Sequence, residues 1–268
     1  MSKRVLWCGD IHLNFLDPPR IELFCQNVMA QKPDLVVITG DISEAPLLDV
    51  HLVLLAECIT VPVYFVLGNH DYYHGSFAGV RLGMTRHTHP RLFYVSDLGC
   101  VPLTDKTMLV GHDGWYDGGY SNWFKSRLIM ADYQLINELK YLPPNLLYKK
   151  LQDKAGELVD HFNVVIPKAF ETHENLIALT HIPPFRENCL YGKKQSDDQW
   201  MPHFSSKLAG DVLLELADRF PGKNITLLCG HTHSPAFYKP RVNLECYTGA
   251  ADHSYKVPET SIQMINVD

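Results

Sequence analysis

Residues that can bind a metal ion or transfer a proton stand at the ends of six apolar runs in this sequence. In each case a glycine or threonine follows the run, and the polar residues come next: Asp10 and His12, Asp41, Asn69 with His70 and Asp71, His112, His181, and His231 with His233. Turns after strands are often built from Gly, Asn or Asp for conformational reasons alone. That explanation suffices for one cluster but not for six, so the pattern predicts a shared functional site.

The donor types suit a pair of divalent metal ions. Asp10 and His12 are two residues apart, as are His231 and His233, so on an extended backbone both members of each pair face the same way. Asp41, one asparagine and one further histidine bring the set to more donors than a single ion needs. Two ions sharing Asp41 as a bridging carboxylate would use the whole set. Paired ions about 3.5–4 Å apart generate a bridging hydroxide and clamp an in-line displacement at phosphorus, so the set predicts hydrolysis of a phosphoester.

Strand and helix patterns alternate between these clusters. Apolar runs predict strands at 5–8, 35–38, 61–67, 108–110, 177–179 and 225–228, with another in the tail at 262–267. Helical spacing predicts helices over 21–30, 47–58, 145–166 and 208–220, and Pro167 is expected to end or kink the third. Such alternation is typical of parallel sheets, whose ligands bind beyond the carboxyl ends of the strands.

The composition is that of an ordinary globular chain. Of its 268 residues, 46% are hydrophobic and 20% charged, and the net charge of −6 argues against a broad nucleic-acid surface. Seven cysteines without CxxC spacing favour reduced thiols, and hence a cytoplasmic location, over a disulfide framework. No apolar run is long enough for a signal peptide or a membrane span. We expect one domain over residues 1–268.

The ordered motifs resemble the calcineurin-like metallophosphoesterase superfamily. The matching text is Asp10-x-His12, Gly40-Asp41, Gly68-Asn69-His70-Asp71, Thr180-His181 and Gly230-His231-x-His233. Each motif alone is weak evidence for the family, but five motifs in this order are a specific signal. The resemblance implies an α/β fold, a four-layer α/β/β/α sandwich of two mixed sheets, with the site at the sheet edges.

The resemblance also assigns roles to the site residues. One metal ion would be bound by four side chains: Asp10, His12, Asp41 and His233. The other would share Asp41 and complete its shell with three more: Asn69, His181 and His231. The resemblance makes His70 a catalytic residue that does not bind metal but steadies the phosphate and protonates the leaving oxygen, with Asp71 orienting it. Histidine suits general-acid work near neutral pH.

Two other histidine motifs compete with this assignment. His112 also follows an apolar strand and is an alternative to His181 as the lone histidine ligand. The H-x-P-P turn that begins at His181 resembles the family's turn and favours His181, which would leave 111–115 as a rim loop. His87-x-His89 has the spacing of a ligand pair, but no apolar strand precedes it, so we interpret it as an exposed loop.

Substrate choice is expected to depend on the segment 183–204. It has the pattern of a long irregular loop, and such loops are often lids or binding loops. Ser/Thr protein phosphatases of this superfamily carry an arginine in a GDxVDRG motif, whereas residues 40–45 here read GDISEA. The chain is therefore more similar to compact bacterial or phage phosphoesterases, which act on small phosphomonoesters, phosphodiesters or nucleotides.

The leading prediction is a dinuclear metal-dependent phosphoesterase that uses a metal-bridging hydroxide. A metal-dependent nuclease and a non-catalytic metal-binding scaffold are the alternatives. Imidazole, carboxylate and amide donors without thiolates suit Mn, Fe, Zn, Co or Ni better than Ca or Mg. We expect two divalent ions, Mn in vitro and Fe or Zn in the cell. The expected partner is a small phosphoester or nucleotide rather than a long nucleic acid or a membrane.

Overall fold

The computed structural model describes residues 2–87 and 89–268, which form strands and helices in alternation. The strands are β1 Lys3–Cys8, β2 Leu35–Thr39, β3 Val63–Val66, β4 Leu92–Tyr94, β5 Val101–Pro102, β6 Thr107–Gly111, β7 Asn175–Leu179, β8 Leu190–Tyr191, β9 Lys194–Gln195, β10 Asn224–Cys229, β11 Ala236–Arg241, β12 Leu244–Thr248 and β13 Gln263–Val267. The helices are α1 Pro18–Ala30, α2 Ala45–Cys58, α3 Phe77–Arg86, α4 Val95–Leu98, α5 Asp132–Leu135, α6 Pro144–Phe170, α7 Met201–Phe204 and α8 Lys207–Arg219.

Two mixed sheets carry the site. The first has the strand order β13-β1-β2-β3-β4, in which only β13 runs antiparallel to its neighbour. The second has the order β11-β12-β10-β7-β6-β5, with a parallel centre and antiparallel edges. The parallel strands bring several loops to one edge of each sheet, as the sequence pattern predicts.

The alternation of side chains along β1 explains the layering. Val5 and Trp7 pack in the core between the two sheets, while Leu6 and Cys8 pack in the core shared with α1 and α2. A third core joins α6 and α8 to the other face of the second sheet. Because both faces of each sheet are buried, the four layers are α/β/β/α, and the predicted fold class is confirmed.

Two local expectations need correction. Of the two effects expected of Pro167, the end of the helix does not occur, because α6 continues to Phe170. Proline here lacks one hydrogen bond close to the helix end, and the buried side chains of the last turn keep the helix packed on the sheet. The segment 183–204 is not irregular either, since it contains the hairpin β8–β9 and the helix α7.

The helix expected over 208–220 and the cysteines expected to be reduced both occur in the structure. Helix α8 begins after Ser206, whose Oγ accepts a hydrogen bond from the Ala209 amide at 3.4 Å. All seven cysteines are free thiols. Cys8 and Cys229 are buried, and burial raises the pKa of each thiol to about 12, as expected of small core residues. None of the helices in the described ranges is both long and apolar enough to cross a membrane.

Candidate metal centre

The loops after five parallel strands converge at the facing edges of the two sheets. Asp10, Asp41 and Asn69 follow β1, β2 and β3 of the first sheet, and His181 and His231 follow β7 and β10 of the second. The strand order places these loops next to one another. The resulting cluster of predicted ligands is buried.

The first group of donors surrounds one point in the cluster. It consists of the side chains of Asp10, His12, Asp41 and His233, whose ligand atoms lie within 4.8 Å of one another. His12 Nε2 is 3.1 Å from His233 Nε2 and 3.7 Å from Asp41 Oδ2. His233 Nε2 is also 3.5 Å from Asp10 Oδ1. Four donors at these distances can surround one metal ion.

The second group shares Asp41 with the first. Asp41, His181 and His231 offer ligand atoms within 4.8 Å of one another. His181 Nε2 lies 3.4 Å from Asp41 Oδ1, whereas His12 approaches the other carboxylate oxygen. Asn69 Oδ1 is 3.0 Å from both His181 Nε2 and His231 Nδ1. The Asp41 carboxylate therefore lies between two sets of donors, each of which can hold an ion.

The backbone at this cluster is strained. Five of the donor residues have φ between 43° and 72°, in the left-handed region: Asp10, His12, Asp41, His231 and His233. Such conformations cost about 1–3 kcal/mol each in non-glycine residues and concentrate at functional sites. Here they turn the side chains of successive loops toward one point.

Glycines beside the cluster leave room for the donors. A Cβ at Gly68 would overlap Asp41 Oδ1, and a Cβ at Gly230 would overlap Asp10 Oδ2. The Asp10 carboxylate instead accepts hydrogen bonds from the His231 amide, at 2.8 and 3.1 Å. The two glycines are required because the carboxylates approach the backbone so closely.

The tautomers of the second group leave it suited to a cation. His231 Nε2–H donates to the His203 carbonyl at 3.2 Å, so the neutral ring presents a lone pair at Nδ1. The Asn69 amide donates through Nδ2 to the Tyr73 hydroxyl at 3.1 Å, which directs its oxygen inward. Two acceptors thus face each other at 3.0 Å in a buried site. A metal ion between such donors would resolve this repulsion.

The pKa values of the four histidines also suit a bound cation. Burial lowers the pKa of His12, of His231 and, to about 4, of His233, so all three rings are neutral at pH 7. Burial also disfavours charge on His181, but the Asp41 carboxylate outweighs it and raises the pKa of His181 to about 10. Without a bound cation, a proton on His181 compensates the charge of Asp41. A metal ion would displace that proton.

His70 lies beside the donors without joining either group. Its backbone amide donates to Asp41 Oδ1 at 2.9 Å, and its ring Nε2 is 3.9 Å from Asp41 Oδ2. The imidazole stacks on Tyr73 with 4.3 Å between ring centroids and meets the His12 ring edge-on at 4.6 Å. It lines the cavity above the cluster, so it can reach a bound molecule.

Asp71 makes no hydrogen bond to the His70 ring, contrary to the expectation that it orients this histidine. Its Oδ1 accepts from the amides of Ile42 and Ser43 at 2.9 and 2.8 Å, and its Oδ2 from the Gly68 amide at 2.8 Å. The turn after Asn69 directs the buried carboxylate away from the cavity and toward the neighbouring loop. Asp71 therefore ties together the two loops that carry Asp41 and Asn69.

A hydrogen-bonded pair that the sequence analysis missed orients Asn69. The Tyr73 hydroxyl accepts from Asn69 Nδ2 and donates to Asp132 Oδ2 at 3.0 Å. Asp132 is buried at the start of α5 and lies 59 residues from Tyr73 in the chain. Because aspartate in its ionised form only accepts, it fixes the direction of both hydrogen bonds. No local sequence signal links these residues.

The competing histidine motifs lie away from the cluster. His112 Nδ1 accepts from the Gly114 amide at 3.0 Å, and its ring packs near His161, so His181 rather than His112 joins the donors. Residues 112–115 are buried rather than forming a rim loop. His87 and His89 pair with acidic residues of α2, while Thr88 lies outside the described residues.

The fold is an α/β/β/α sandwich, and a buried Asp/His cluster that could hold metal ions lies at the facing edges of its two sheets. A family model described as calcineurin-like phosphoesterase matches residues 3–235, so the chain belongs to that family. The resemblance noted in the sequence is thereby confirmed. No curated protein matches the chain.

Solved structures of similar fold have little sequence in common with this chain. A phosphopantetheinyl hydrolase from Mycobacterium tuberculosis is 12% identical, with a TM-score of 0.67 over 97% of this chain and 95% of that one. A dimetal phosphatase from Danio rerio is also 12% identical, with a TM-score of 0.59 over 93% of this chain and 87% of that one. At this identity the likeness establishes the fold.

Proposed function

We propose that this chain is a two-metal phosphoesterase that hydrolyses a monoester or diester of a small molecule or nucleotide. The observation that carries the proposal is the position of Asp41, whose two carboxylate oxygens face two different sets of donors. The first ion would be held by Asp10, His12, Asp41 and His233. The second would be held by Asp41, Asn69, His181 and His231. Two ions there would activate water and neutralise charge on the phosphoryl oxygens.

The remaining residues bind and orient the ester. His70 is 20% exposed at the cavity and belongs to neither donor group, so its ring is free to donate a hydrogen bond to the phosphoryl group. In the same position it would deliver a proton to the leaving oxygen. Histidine and acidic donors without thiolates suit Mn, Fe or Zn, and manganese is our choice for reconstitution.

Hydrolysis of a chromogenic phosphodiester and of the matching monoester by the Mn²⁺-reconstituted protein tests the proposal. We expect turnover of at least one ester and its loss on addition of a chelator, because the proposed nucleophile depends on the ions. The diester and monoester rates, measured side by side, classify the enzyme. Absence of turnover with two ions confirmed bound by elemental analysis would contradict the proposal and favour a metal-binding scaffold.

Replacing Tyr73 with Phe is expected to weaken one metal site selectively. The variant keeps the ring that stacks on His70 but loses the hydroxyl that links Asn69 to Asp132. Loss of such an outer partner typically costs 10–100-fold in metal affinity. Titration of Mn²⁺ by calorimetry should therefore reveal one weakened step and one step unchanged. Tyr64→Phe, on the preceding strand, is the matched control, and equal affinity in the Tyr73→Phe variant and the parent would refute the link.

A further inference from the structure

The cavity above the metal centre is large for a phosphate group alone. Its volume is about 650 Å³, within the range of sites that enclose whole small-molecule ligands. Asp41 and Asn69 of the donor cluster line it together with His70, and the hairpin β8–β9 contributes four further lining residues: Leu190, Tyr191, Lys194 and Gln195. Most of this space therefore surrounds the group to which the phosphate is attached.

A row of aromatic rings leads outward from the second donor group. The Phe204 ring lies 4.6 Å from the His231 ring, measured between centroids, and Trp200 meets Phe204 edge-on at 5.4 Å. All three line the cavity. The Trp200 side chain is 46% exposed even though it belongs to this wall. A large ring left accessible in a binding cavity offers a stacking surface.

A second row leads outward from the first donor group. The His253 ring lies 5.3 Å from His233, and Tyr191 on the hairpin meets His253 edge-on at 5.5 Å. Tyr191 is 74% exposed and also lines the cavity. The donor cluster is thus flanked by two rows of aromatic rings, and each row ends in a solvent-accessible ring, Trp200 or Tyr191.

The polar groups of the cavity wall suit the edge of a base rather than a long polyanion. Within the described part of the chain, Lys194 is the only Lys or Arg that lines the cavity. Gln195 lies beside it and offers an amide, which can both donate to and accept from the edge of adenine. One lysine is too few for the basic track that binds long nucleic acid.

We propose that the cavity selects nucleotide-type phosphoesters, with the nucleobase stacked on Trp200 or Tyr191 while the phosphate lies at the metal centre. This inference rests on the proposed function and assigns its substrate class. Stacking of a base on an aromatic side chain contributes about 1–3 kcal/mol, which corresponds to about 5- to 150-fold in affinity. The cavity should therefore discriminate between esters that differ only in the presence of a base.

Adenosine 5′-monophosphate and ribose 5-phosphate provide that comparison, with their methyl esters used if the enzyme proves to be a diesterase. We expect kcat/KM to be about 5- to 150-fold higher for the adenosine ester. Trp200→Ala or Tyr191→Ala should lower this ratio, while Trp200→Phe should restore part of it. Phe237→Ala, an exposed ring on β11 outside the cavity, is the matched control.

Binding of adenosine, compared with ribose, separates this inference from the proposed function. Adenosine carries no phosphate, so calorimetry or NMR titration reports the stacking site without catalysis. Binding of adenosine that is lost in either Ala variant supports the inference even if no ester is hydrolysed, and the affected variant identifies the stacking ring. Hydrolysis without any preference for the base, or adenosine binding unchanged in both variants, would overturn it.

Discussion

Asp41→Asn is expected to abolish hydrolysis and to disrupt both metal sites at once. The substitution keeps the size of the side chain but removes its charge, and one of the two oxygens becomes an amide nitrogen that cannot bind a metal ion. Loss of an outer-shell partner alone costs 10–100-fold in affinity or activity, so loss of the shared ligand should cost at least about 100-fold. Elemental analysis and Mn²⁺ titration of the purified variant measure the effect.

Variants that each remove a donor from only one metal site test whether Asp41 is shared by both. Asn69→Ala removes a donor from one group and His12→Ala from the other, so each should retain one ion while Asp41→Asn retains neither. Asp49→Asn on α2, where the carboxylate is 72% exposed, controls for the loss of an aspartate charge. If Asp41→Asn bound one ion as tightly as Asn69→Ala does, Asp41 would belong to a single site.

The donor set was predictable from the sequence because each donor directly follows an apolar strand. A parallel strand fixes both the edge at which its loop emerges and the neighbours of that loop. Asp10, Asp41 and Asn69 could therefore be expected to meet, although the distances between them could not be inferred. Strand position alone did not separate His181 from His112, because both residues follow strands of the same sheet; the resemblance of the H-x-P-P turn favoured His181.

The hydrogen bonds that hold the donor side chains and their loops in place were not predictable, because they join loops that are distant in the sequence. Asp132 reaches Tyr73 across 59 residues from a short helix with little apolar periodicity. Asp113 likewise accepts hydrogen bonds from the hydroxyls of Tyr72 and Tyr94 at 2.7 and 2.6 Å. Spacing rules describe one element at a time, so they cannot identify a buried carboxylate shared by several elements.

His51 illustrates the same limit. Its place in α2 suggests a surface residue, yet the ring is buried and its Nδ1 lies 2.7 Å from the Ser43 hydroxyl. Ser43 belongs to the loop that carries Asp41, and its amide donates to Asp71. Histidine on a helix can therefore stabilise a loop of the site without taking part in the chemistry.

His70→Ala is expected to lower kcat by about 10²–10⁴-fold while both ions remain bound. The ring contacts Tyr73 and His12 at the cavity but belongs to neither donor group, so its removal should leave the metal sites intact. General-acid catalysis typically contributes this factor. The loss should be largest for esters of aliphatic alcohols and smallest for nitrophenyl esters, whose leaving oxygen needs little protonation. Rates on both ester types and metal stoichiometry together measure the effect.

The dependence on the leaving group distinguishes proton donation from binding of the phosphate. If His70 only held the phosphoryl group, the variant would lose the same factor on both ester types and KM would rise. If it protonates the leaving oxygen, kcat falls unequally and the aliphatic ester suffers more. His89→Ala, in the motif paired with α2, controls for the removal of a partly buried histidine. Full activity of His70→Ala on every hydrolysed ester would exclude both roles, and the proton would then have to come from water in the cavity.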